Sequence, residues 1–144
     1  MPMRTLLAAL AVLAAATPSA AARDVHPAGP DAALVDGFLR AYRDAVLGLG
    51  DSGLTPSEVR AEWLAPELNR RLDDWQARHG GTDPVFRAGT PDSWTVHAEG
   101  GAAGLGLVRV VEHRPGGPDR CLRYTVRDAD RTVAGLRDSP ACTG

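Results

Sequence analysis

The sequence predicts an α+β domain in which N-terminal helices pack on one face of a four-stranded antiparallel meander sheet. Three observations carry this. Apolar residues recur every three to four positions as far as Gly81. From Trp94 onward they alternate with polar residues, the period of a strand. The connections between the alternating runs are short, whereas parallel strands need a long crossover.

The chain opens on Arg4, an apolar run over residues 6–16 and the small residues Ala20, Ala21 and Ala22. That order is a secretory signal peptide over residues 1–22, with cleavage expected after Ala22 and a mature start at Arg23. The run is about half the length that crosses a bilayer, so no membrane attachment is expected after its removal. The expected location is secreted, periplasmic or extracellular. Residues 23–30, with Pro27, Gly29 and Pro30, read as a flexible lead. Residues 31–144 suit a single domain.

Asp31 is a candidate cap for the first helix. Leu34, Phe38, Tyr42, Ala45 and Leu49 then form one apolar helical face that ends near Gly48 or Gly50. Thr55-Pro56-Ser57-Glu58 has the residues of a capping box and starts a short helix to about Leu64. Pro66 starts a third helix, stopped by Gly80-Gly81. Leu68, Leu72 and Trp75 share a face of it, which places Trp75 in the core against the sheet. The strands expected are Trp94 to Glu99, Leu105 to Glu112, Cys121 to Arg127 and Thr132 to Leu136. Turns are expected at Gly100-Gly101, Pro115 to Pro118 and Asp128 to Asp130.

The 144 residues carry a formal charge of −2, and all sixteen basic residues are arginine. A mildly acidic chain lacks the electrostatic footprint of a nucleic-acid partner. Cys121 and Cys142 are the only cysteines, and in an exported chain an even count predicts a disulfide between them.

The order of elements resembles the nuclear-transport-factor-2-like superfamily, the cystatin-like cone fold, and most of all its small secreted bacterial members of unknown function. The residues behind this are Val35-Asp36-Gly37-Phe38-Leu39-Arg40-Ala41-Tyr42, Trp63-Leu64-Ala65-Pro66-Glu67-Leu68, Asp83-Pro84-Val85-Phe86 and Pro91-Asp92-Ser93-Trp94 ahead of the closing meander. The resemblance covers roughly residues 31–138 and implies a cone-like domain with a cleft between helices and sheet. The Gly-rich stretch 100–106 departs from it, implying shorter strands and a shallow or filled cleft. The superfamily holds enzymes, binding modules and assembly subunits, so the resemblance chooses no activity.

The aromatic residues Tyr42, Trp63, Trp75, Phe86, Trp94 and Tyr124 either line such a cleft or fill the core. Asp83, ahead of a proline, is either a turn residue or a general base of the kind that enolising isomerases use. His26, His79, His97 and His113 fall in no ligand or catalytic spacing. No nucleophile elbow, His-Glu-x-x-His or phosphate-binding glycine loop occurs, and Asp128-x-Asp130 lacks the glycine and closing glutamate of a calcium loop. No metal, cofactor or catalytic residue is expected. Arg123 and Arg127 fall on the same side of one strand, and Arg109 on the preceding strand is a candidate to join them. Guanidinium groups so placed can grip carboxylates or sulfates. The reading is an exported, non-catalytic binding or interaction domain for a small ligand or a protein, with Tyr42, Trp63, Trp94, Tyr124, Arg123 and Arg127 as the candidate contact residues. The alternatives are a small isomerase-like or hydrolase-like enzyme using Asp83 with a histidine or tyrosine, and a secreted inhibitor or assembly subunit.

Overall fold

The computed structural model describes residues 28–140 and 142, so the signal peptide, the start at Arg23 and His26 lie outside the described residues. Three helices, α1 (Pro30–Leu47), α2 (Pro56–Trp63) and α3 (Pro66–Arg78), precede four strands. These are β1 (Ser93–Ala102), β2 (Leu105–His113), β3 (Arg120–Arg127) and β4 (Thr132–Ser139). They pair antiparallel in sequence order, the expected meander.

The helices begin on prolines because a first-turn residue needs no free N–H and suits φ near −65°. Gly29, not Asp31, occupies the N-cap of α1. Asp31 instead sits in the first turn, where a carboxylate suits the helix dipole, and pairs with Arg131 at 2.7 Å. The helix ends at Gly48 in the left-handed conformation. The capping box of α2 forms as expected: Thr55 Oγ1 accepts from the Glu58 N–H, and Glu58 Oε2 accepts from the Thr55 N–H at 2.7 Å. Leu64 leaves the helix in an extended conformation and bridges to Val133, and the Ala65 N–H donates to the Val133 carbonyl. This short link fastens the α2–α3 connection to β4.

Trp75 corrects the expectation that its helical face is core throughout. Leu68 and Leu72 are buried, but Trp75 is only half-buried and outside the apolar cluster. It stacks on His79, the C-cap of its helix, with ring centroids 3.9 Å apart, and the Arg87 guanidinium lies 4.1 Å from its ring centre. The last turns of α3 therefore carry a surface stack, not a core anchor.

The Gly100-Gly101 turn is also corrected. β1 continues through both glycines with a register shift between Ala98 and Gly101, a bulge. The reversal falls at Ala103-Gly104, both at positive φ, as a two-residue primed hairpin turn requires. Gly101 is needed because a Cβ there would lie 2.0 Å from the Leu105 carbonyl oxygen. β1 is thus ten residues long, and the short strands expected from this glycine-rich stretch do not occur. β4 likewise runs past Leu136 to Ser139.

The inner face of the sheet presents Val108, Val110, Leu122, Tyr124 and Val126 to α1. Tyr124, Phe38, Tyr42 and Phe86 form a continuous line of rings, with successive centroids 6.4, 5.6 and 5.2 Å apart. Such bulky groups fill the space between helix and sheet. Gly37 lets Trp63 lie against α1; a Cβ there would meet the indole at 2.9 Å. Cys121 and Cys142 are joined in a disulfide, with Cα atoms 5.2 Å apart.

Candidate functional site

Tyr42 and Tyr124 are buried members of the core. Trp63 and Trp94 are half-buried and pack at its edge. The Trp94 indole N–H donates to Asp36 at 2.9 Å. These four aromatics do not meet around one open cleft.

Beside the ring line lies a polar cluster. The Tyr42 hydroxyl donates to both oxygens of Asp83, at 3.0 and 3.1 Å. Asp83 Oδ1 also accepts from the Val85 and Phe86 N–H groups, each at 2.8 Å. That is an Asx turn, the turn role available to an Asp before proline. Burial, reinforced by the Asp83 charge, raises the Tyr42 phenol pKa well above its ordinary value. Arg60 is buried next to this pair and is held by Asn69 and Asp73. Tyr42, Arg60 and Asp83 contribute to the wall of an open depression of about 350 Å³.

Glu112 is a second buried polar group and was not legible as such, because alternation simply gives its position to the inner face. Arg120, directly opposite in the sheet, reaches it at 3.4 Å and also binds Asp138 and the Val85 carbonyl. Glu112 Oε1 and the Tyr124 hydroxyl have no partner among the described residues.

The outer face of the sheet carries the most distinctive charge pattern. Register places His97 opposite Arg109, Arg109 opposite Arg123, and Arg123 opposite Arg137. Three guanidiniums therefore stand on adjacent strands, one inter-strand step of roughly 4.8 Å apart at the backbone. Glu99 serves two of them, Arg123 at 3.1 Å and Arg109 at 3.4 Å. Arg137 has no ion-pair partner among the described residues. Arg123 and Arg137 share a groove of about 590 Å³ with Arg71, Leu105, Leu107 and Thr125. Arg127 is differently placed. It is held by Asp130 and Glu67, both at 2.6 Å, and those bonds keep its guanidinium firmly protonated. They also hold the Asp130 carboxyl well below its usual range.

No protein-family model, curated protein or solved structure matches this chain. The site therefore rests on its own geometry. That geometry joins Arg123 to Arg109, through Glu99, and to Arg137 across the strands, not to Arg127 along one strand. Arg137 lies one residue beyond Leu136, where the sequence predicts the last strand to end, whereas β4 continues to Ser139. The alternation of Leu136, Arg137 and Asp138 was the available signal.

Proposed function

We propose that this is an exported, non-catalytic binding domain that recognises an acidic partner through the outer face of its sheet. The observation that carries the reading is the cross-strand row Arg109, Arg123 and Arg137, whose one carboxylate partner among the described residues is Glu99. Like charges directly opposite in a sheet are destabilising. A row that repels itself is accounted for by a ligand that supplies the missing anions. Guanidinium groups favour planar carboxylates and sulfates, and the adjoining Leu105 and Leu107 add apolar contact. Leu105 and Leu107 also suit the protein-contact variant of this reading, an inhibitor or assembly subunit.

The enzyme alternative draws on the meeting of Asp83 and Tyr42. A general base needs a free lone pair directed at substrate. Asp83 spends its oxygens on two backbone N–H groups and a phenol, an arrangement that braces the connection after α3.

Binding to immobilised heparin and polyglutamate tests the proposal. Arg123→Ala with Arg137→Ala should weaken retention of one or both by about tenfold, the loss of roughly 1.4 kcal/mol. Arg70→Ala with Arg78→Ala, removal of the same charge from α3, should change it little. Equal losses from both sites, or retention unaffected by the double variant, would sink the assignment to this face.

A further inference from the structure

A separate pocket of about 280 Å³ lies between α1 and the start of β1, lined by Arg40, Arg43, Asp44, Asp92, Ser93 and Trp94. Asp36 braces this wall. Its Oδ1 accepts from the Trp94 indole and its Oδ2 from Arg40 at 2.7 Å. The Arg43 guanidinium lies 5.8 Å from the centre of the Trp94 ring. Arg43 Nε is buried and finds no acceptor among the described residues. Asp44 and Asp92 border the same space, yet neither carboxylate closes an ion pair with Arg43.

Arg40 is engaged by Asp36, but Arg43, Asp44 and Asp92 line the pocket without pairing with one another, and that restricts what can enter it. A simple anion drawn to Arg43 would face two carboxylates. A simple cation drawn to Asp44 and Asp92 would face Arg43. A guest bearing both signs satisfies both walls at once. The volume falls at the small end of ligand sites, near 300 Å³.

We infer that this pocket binds a single free amino acid or a comparably small amino carboxylate. Its carboxylate sits on Arg43, and its ammonium group lies towards Asp44 and Asp92. The Trp94 ring supplies an apolar wall, and the Ser93 hydroxyl is available to either polar group. Nothing in this inference depends on the outer face of the sheet.

The test is a titration of the ¹⁵N-labelled protein with each standard amino acid, reading the Trp94 indole N–H. At least one amino acid should shift that resonance saturably. Its N-acetyl and its amide derivatives, each lacking one charge, should bind about tenfold more weakly or worse. Arg43→Gln and Asp92→Asn should each abolish the shift while leaving the remaining spectrum in place. Asp92 is exposed at a strand start, so Asp92→Asn keeps the test valid if Arg43→Gln perturbs folding. The inference is overturned if no amino acid produces a saturable shift at tens of millimolar, if acetate shifts the indole as well as the amino acid does, or if Asp92→Asn binds like the unaltered protein.

Discussion

Glu112 is contacted by Arg120 at 3.4 Å and lies within electrostatic reach of Arg114 and Asp138. Burial is the largest influence on it and outweighs both arginines, so its pKa rises from 4.5 to about 7. A raised acid pKa means that the fold favours the proton. Between about pH 4.5 and about pH 7 the folded protein keeps a proton that the unfolded chain releases. Stability therefore falls as pH rises through that window, by about 3 kcal/mol for such a shift. Urea unfolding across this range should show the decline, and Glu112→Gln should remove it; an unchanged slope in the variant would refute the account. Trp75 gives a second prediction for a single side chain. Its partners are His79 and Arg87 at the surface, and exposed cation–π contacts are worth about 0.5–1 kcal/mol. Trp75→Ala should cost no more than about 1 kcal/mol in denaturant unfolding, whereas Phe38→Ala, in the ring line, should cost about 3–5 kcal/mol. A Trp75→Ala loss as large as that of Phe38→Ala would return Trp75 to the core.

The elements whose limits are set by local chemistry were the readable ones. Thr55 and Glu58 cap α2 from within four residues, and Gly48 ends α1 through its own φ. Thr55→Ala should accordingly lower thermal stability by about 1 kcal/mol, through α2 alone; no measurable change would mean that Pro56 and the Leu64–Val133 bridge define this helix without the cap. The pairing of Cys121 with Cys142 is readable from the even cysteine count, given the export that the sequence predicts. The unread features depend on partners distant in sequence. A glycine pair signals a turn or a bulge equally well, and only the approach of the Leu105 carbonyl makes Gly100-Gly101 a bulge. Helical periodicity assigned Trp75 to the face of Leu72, but it carries no information about how far along α3 the sheet extends. Strand periodicity assigned Arg123 and Arg127 to one side, yet the neighbours that matter are set by register. The bulge between Thr125 and Val126 determines what lies across from each position of β3. Glu67, from the start of α3, and Asp130 then engage Arg127 in ion pairs separate from that row.

Across the whole molecule, the two faces of the sheet are under opposite demands. The inner face is dense and apolar, with its few polar groups tied or buried. Among the described residues the outer face sets three arginines in register with Glu99 as their one carboxylate partner, an arrangement that works against the stability of the sheet itself. If the row exists for binding, relieving it should strengthen the fold while weakening recognition. Arg137 is the position to change, because it lacks an ion-pair partner among the described residues and stands on an edge strand. Threonine suits a strand and carries no charge. Arg137→Thr should raise stability by about 0.2–1 kcal/mol, the scale of cross-strand pair effects. The gain should shrink at high salt, since screening already relieves the repulsion between exposed charges in the unaltered protein. The same substitution should reduce retention on heparin or polyglutamate. A variant that loses stability, and loses it equally at low and high salt, would show that Arg137 holds the sheet together, and the case for an outward-facing recognition row would go with it.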